Sequence, residues 1–254
     1  MAYISPIARV TLLEAIRYRL FIMMITVVVG LSGLAGFLGE LSITETSKVQ
    51  VSVTASLLRV FSISAICLFV ISSILRELND KGLEILLSLP MPRYAYLFGK
   101  FFGFAGVSLF ISIMACLPLF LYAPAARVSC WFLSLICEHL LIVSLSLVCL
   151  LTFTSVSLAF IAVMAFYLLS RSMEALRLLS ADPILASGTV AQDFMQFLVT
   201  ALALLLPDLH LFTRSGWLVY GVDFTDLRAV MIQTLIYLVV LLSAGLFDLY
   251  RKNL

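Results

Sequence analysis

The feature that most constrains this chain is the run over residues 20–38, which carries no charge. A helix rises about 1.5 Å per residue, so a run of this length matches the roughly 30 Å hydrocarbon core of a bilayer. In that medium every backbone N–H and C=O needs a partner within its own segment, which makes such a run a membrane-crossing helix. Comparable runs recur at about 57–75, 99–122, 131–151, 156–176 and 229–247. Six spans use up most of the 254 residues and leave short connections. Composition agrees: 63% of the residues are hydrophobic and 12% are charged, where a soluble domain carries about a quarter charged residues. The expected fold is therefore an all-α integral membrane protein, a single domain over residues 1–254. A formal net charge of +2 offers no basic surface for a nucleic acid. The first run is too long for a cleaved signal peptide, and no A-x-A site follows it.

A charged island, residues 76–98, separates the second and third runs. It opens with Arg76 and Glu77, continues with Asp80, Lys81 and Gly82, and then shows Leu83, Leu86 and Leu87 at helical spacing. Pro90 and Pro92 stop that helix, because proline restricts the residue before it and cannot continue the N–H ladder. Arg93, Tyr94 and Tyr96 follow, and Lys100 stands at the start of the third run. An amphipathic helix pinned between two spans suits a groove in a partner protein. It suits a bed of lipid headgroups equally well, and the residues alone leave both readings open.

This island resembles the cytoplasmic loop between the second and third spans of bacterial ABC-2-type transporter permeases. That loop reads E-x-x-x-G-x-L-E-x-L-L-x-x-P-x-x-R-x-x-x-x-x-x-K, and Glu77, Gly82, Glu84, Leu86, Leu87, Pro90, Arg93 and Lys100 follow it. One departure is that Glu77 stands five residues before Gly82, where many members have four. The resemblance implies a coupling helix that docks on a separate ABC ATP-binding subunit, with Glu77, Gly82, Leu83, Glu84, Leu86, Leu87, Pro90 and Arg93 at that interface. It also implies an exporter in the cytoplasmic (inner) membrane, N-in and C-in, paired with a second permease copy or a sister permease. ATP and Mg belong to the partner ATPase; this chain carries no cofactor. A six-span permease of the cytochrome c maturation type has a similar loop and is the near alternative.

The N-terminal residues 1–19 fit an interfacial helix. Ser5-Pro6 is a helix start, and Ile7, Val10, Leu13 and Ile16 alternate with Arg9, Glu14, Arg17 and Arg19. The resemblance supplies a similar elbow helix. Within the first span Gly30, Gly33 and Gly36 fall on one face, a candidate helix-packing face, because small residues let backbones approach closely in lipid. Residues 40–56 are expected as a polar loop. Arg59 is expected near the outer end of span two, snorkelling to the headgroups. Gly99-x-x-x-Gly103 opens span three, and Pro118 bends it. The tetrad Thr152, Phe153, Thr154 and Ser155 is the expected turn between spans four and five.

Glu138 and His139 are the ionisable pair inside a span, and such residues raise a functional question by default. Helix neighbours point about 100° apart, so the two do not converge on one target. A hydrogen-bonded structural role is the favoured reading, a lining of the translocation path the second, and a membrane-embedded enzyme using both the third. Arg171, Glu174 and Arg177 share one helical stripe and are expected to pair along it.

Residues 180–228 form the outer region. Residues 194–206 are apolar but too few for a normal span, which suits a re-entrant or interfacial segment, and ABC-2 permeases resemble this with a short outer hairpin before the last span. The stretch over 207–221 also resembles part of one branch of that family, and Trp217 and Tyr220 are expected as interface anchors. Catalytic and metal sites are absent from the expectation. Gly99-Lys100 lacks the rest of a phosphate-binding loop, no G-x-S-x-G occurs, and Cys67, Cys116, Cys130, Cys137 and Cys149 make no C-x-x-C pair.

Overall fold

The structure is a computed structural model and describes residues 4–41, 46–79, 92–153, 155–181, 190–212, 217–218, 221 and 224–251. The helices, in chain order, are α1 (Ile4–Arg17), α2 (Leu20–Leu41), α3 (Thr46–Asn79) and α4 (Arg93–Cys116), which continues as a 3-10 turn over Leu117–Leu121. Then come α5 (Ala125–Thr152), α6 (Val156–Ala181), α7 (Val190–Leu205), α8 (Leu209–Phe212) and α9 (Phe224–Arg251). Six of these, α2 to α6 and α9, are long and apolar enough to cross a membrane. The chain is a multi-pass helical membrane protein.

Local chemistry explains the helix ends. Pro92 and Pro124 sit in extended backbone immediately before α4 and α5, where a fixed φ and a missing N–H do no harm. Pro118 cannot complete the α-helical ladder, and the chain tightens into 3-10 geometry there rather than simply bending. The turn between α5 and α6 falls at Phe153–Ser155 as expected, and its cap is Ser155, whose hydroxyl accepts the Leu158 N–H at 3.3 Å. Between α1 and α2, Arg19 takes a left-handed φ of 55°. That conformation ends α1 and lets the chain restart as α2 at Leu20.

One expectation about the first half, the loop between the first two spans, is corrected. Residues 46–56 are not a polar loop but the first turns of α3. Their polar groups find backbone partners: Thr54 and Ser56 donate to the carbonyls four residues back in α3, and Gln50 donates across to the Ala35 carbonyl of α2 at 2.6 Å. The face of α1 that packs on protein is Ile7, Thr11, Leu12 and Ala15, whereas Val10, Leu13 and Ile16 stay exposed.

The α1 contact rests on glycines. A Cβ at Gly99 would lie 2.9 Å from Ile7, one at Gly103 would lie 2.7 Å from Thr11, and one at Gly106 would lie 3.3 Å from Leu12. The small-residue rule thus applies to α4, where it seats α1. By contrast, Cβ atoms at Gly30, Gly33 and Gly36 would meet nothing within 4 Å. That face of α2 is open.

The core lies between α3, α4, α5 and α6, with α2 and α9 on its flanks. Depth can be read along α3. Gln50 reaches Ala35 near one end of the α2 apolar segment Leu20–Phe37, and Phe69 packs on Tyr18 just beyond the other. Arg59 stands about midway between Gln50 and Phe69 in the sequence. It is therefore near the middle of the apolar slab.

Candidate functional site

Two polar clusters stand out in this apolar bundle. The first is at mid-depth. Arg59 on α3 is 1% exposed, and its Nη1 lies 2.6 Å from Glu138 Oε2 on α5. The same nitrogen donates to the Phe212 carbonyl at the end of α8 at 2.7 Å, and the guanidinium sits 5.0 Å from the centre of the Trp131 ring. Ser134, one turn before Glu138, also donates to the Phe212 carbonyl. A charge in a membrane interior is expensive, and it persists where a counter-ion and hydrogen bonds replace water. Here one guanidinium joins α3, α5 and α8. Among the described residues Arg59 Nη2 and Glu138 Oε1 have no hydrogen-bond partner.

His139 points elsewhere. Its Nδ1 lies 2.8 Å from Ser112 on α4, and its Nε2 lies 3.1 Å from Ser62 on α3. Ser112 also reaches the Ser108 carbonyl, and Ser62 the Arg59 carbonyl. A neutral imidazole has one donor and one acceptor, so one of these serines turns its hydrogen from the backbone to the ring. Both ring nitrogens are then satisfied with no water. Glu138 and His139 share no partner, as their helical offset requires.

Arg59 is the residue that sequence reasoning misplaced. It does not snorkel to the headgroups; it is buried and paired, because Glu138 supplies in the slab what water supplies outside it. The available signal was one cation in span two and one carboxylate in span four; their depth came only from the packing of α3 on α5.

The second cluster lies at the end of the bundle that holds the start of α4 and the end of α9. Lys100 Nζ is 2.7 Å from Glu77 Oε2, with side-chain exposures of 6% and 17%. Tyr96 donates to the same carboxylate oxygen at 3.2 Å. Glu14 of α1 accepts the Ser73 hydroxyl at 2.8 Å, and Arg93 donates to the Leu249 carbonyl near the end of α9 at 2.9 Å. Glu77 and Lys100, the two ends of the sequence pattern, are thus clamped together, and Arg93 ties the pattern to α9. Gly82, Leu83, Glu84, Leu86, Leu87 and Pro90 lie outside the described residues.

The chain matches no family model and none of the curated proteins it was compared with.

The remaining polar residues sort differently from their expected roles. Arg171, Glu174 and Arg177 do not pair with each other. Arg177 pairs with Asp208 at 3.2 Å, Glu174 meets His210 at 3.4 Å, and Arg171 donates to the Tyr167 hydroxyl at 3.3 Å. The segment between α7 and α8 folds back beside α6 and supplies nearer partners than the stripe itself. Trp217 is 4% exposed and belongs to the core rather than the interface, while Tyr220 lies outside the described residues. The five cysteines are free thiols. Among the described residues no three His, Cys, Asp or Glu side chains gather as metal ligands.

Proposed function

We propose that this chain is the membrane-spanning permease subunit of an ATP-driven ABC-2-type transporter, an exporter coupled to a separate ATP-binding subunit. The observation that carries the reading is the 77–100 pattern, set between the second and third spans of a six-span helical protein. Its ends are bound by Glu77 and Lys100. In this reading the clamp has a purpose. A helix pushed by a motor moves the spans only if its connections to them are stiff, and a buried ion pair with Tyr96 on the same oxygen stiffens both. Arg93 would pass the motion on to α9.

The orientation is N-in and C-in, in the cytoplasmic membrane. Arg9, Arg17, Arg19, Arg76, Lys81, Arg93, Lys100, Arg251 and Lys252 then face inward in short segments next to spans, where the positive-inside rule counts most. ATP and Mg bind on the motor subunits. Their closure moves the coupling helices, and the bundle shifts between inward- and outward-open states because ATP favours one of them. A second copy or a sister permease completes the pathway. The α7–α8 segment, which is too short to span and reaches Arg59 through Phe212, serves as the re-entrant outer hairpin.

Leu86→Asp tests this reading. Burying an unpaired charge in a protein groove costs several kcal/mol, and about 1.4 kcal/mol is tenfold in association. The variant should insert and assemble as a permease, yet lose the ATPase on purification and lose ATP-driven transport. At a lipid surface the same charge turns to water at little cost. A fully active ATPase complex with Leu86→Asp would remove the coupling helix and the reading built on it. Glu84→Lys is the companion, since Glu84 lies off the leucine stripe and reads the motor's charge rather than its groove.

A further inference from the structure

Beside the break between α1 and α2, a groove of about 230 Å³ opens on the flank of the bundle. We propose that it binds one phospholipid with an anionic headgroup, its phosphate on Arg76 and its acyl chain along Met23, Leu68 and Ala65. The inference does not depend on the transporter reading.

The lining changes character along its length. Arg76, Ser73 and Ser72 stand at one end of the α3 wall and Leu68 and Ala65 at the other, with Tyr18 and Met23 across from them. From Arg76 to Ala65 is about 16 Å along the helix. That length holds a headgroup, the glycerol and the first part of a chain. Its depth is right for this. Phe69 packs on Tyr18, and the apolar segment of α2 begins at Leu20. The polar end therefore lies at the edge of the slab and the apolar end inside it. Met23 and Leu68 are 47% and 41% exposed, so the apolar end is open to lipid from the side.

Charge selects the headgroup. Arg76 rests on the Tyr18 ring at 4.3 Å, and Arg17 and Arg19 flank that tyrosine on the exposed break. Among the described residues none of these three arginines makes an ion pair. Among the described residues here, the Glu77 carboxylate is neutralised by Lys100, and the single charge of Glu14, which accepts the Ser73 hydroxyl, is outnumbered by the three arginines. The mouth of the groove is thus net cationic. An apolar trough with a cationic mouth at the slab boundary is complementary to an anionic lipid.

The test uses the full-length chain purified in neutral detergent. It is titrated with phosphatidylglycerol or phosphatidylcholine of identical acyl chains, and bound lipid is counted by native mass spectrometry. Phosphatidylglycerol should be retained at least fivefold better. Arg76→Gln should lower its retention about fivefold, the effect of roughly 1 kcal/mol for one interfacial cation. Leu68→Ser should lower it as well, and Arg9→Gln, exposed on α1 outside the groove, should not. Equal retention of the two lipids would overturn the proposal. So would an unchanged Arg76→Gln, an Arg9→Gln loss as large as that of Arg76→Gln, or full displacement of the lipid by glycerol phosphate, which has no chain to fill the trough. If Arg76→Gln folds poorly, the lipid comparison on the unaltered chain and Leu68→Ser decide.

Discussion

Arg59 and Glu138 are 79 residues apart in sequence and 2.6 Å apart in space, and they meet near the middle of the apolar slab. Neither could stay charged there alone. Together they fix α3 against α5, and through the Phe212 carbonyl they hold α8 as well. Removing one partner leaves the other charge buried, so Arg59→Met or Glu138→Leu should each destabilise the protein by about 3–5 kcal/mol. The double variant should recover most of that loss. Thermal unfolding in detergent of the two single variants and the double variant checks it. A double variant as unstable as the sum of the singles would mean that the two residues do not act as a pair.

His139 should behave as a structural residue. His139→Leu removes the two hydrogen bonds that tie α5 to Ser62 and Ser112, but both hydroxyls keep their backbone carbonyls and no charge is left behind, so its effect should be smaller than that of Glu138→Leu, on the order of 1–3 kcal/mol. Glu138→Gln and His139→Gln should both reduce the yield of folded protein more than they reduce transport per folded molecule. Normal abundance with abolished activity would instead favour a chemical role.

The glycines of α4 and α2 should separate cleanly. Gly103→Leu drives a side chain into Thr11, where even a Cβ would lie 2.7 Å away, and should loosen α1 at a cost of about 1–3 kcal/mol. Gly33→Ala meets open space and should leave stability unchanged or raise it by up to about 1 kcal/mol. Gly33→Leu should weaken association between permease subunits without lowering the melting temperature of the single chain, as expected if the Gly30, Gly33 and Gly36 face receives a second helix. Cross-linking yield and unfolding measured on the same samples distinguish these outcomes.

Orientation is open to direct labelling. Single cysteines at Ser47 and Gly188, in a background without the native cysteines, should react with an impermeant thiol reagent added outside. One at Asp80 should react only after the membrane is opened. Labelling of Asp80 from outside would reverse the orientation and detach the 77–100 stretch from any cytoplasmic motor.

The six spans were legible because lipid makes a simple demand. A backbone without water has to be helical, and about twenty apolar residues cross the slab, so the runs themselves specify the six helices, though not how far each extends beyond its run. Pro92, read as a stop, proved in the structure to be the residue from which α4 starts, and Pro124 does the same for α5. Partnership was another matter. The sequence showed Arg59 in one run and Glu138 in another, but whether an arginine snorkels or pairs depends on its depth and on what faces it. Both are set by how α3 packs on α5. Residues 46–56 looked like a loop because their hydroxyls and amide are polar, and they are helical because those groups find carbonyls within reach. Glycine spacing suggested close approach on α2, whereas Gly99 and Gly103 were read only as the opening of span three. Only the tertiary arrangement, which lays α1 along Gly99, Gly103 and Gly106 and nothing along Gly30, Gly33 and Gly36, decided which face is filled. The physical reason is that the hydrophobic requirement acts on each segment separately, whereas ion pairs, hydrogen bonds and close packing act between segments and exist only once the helices have found their places.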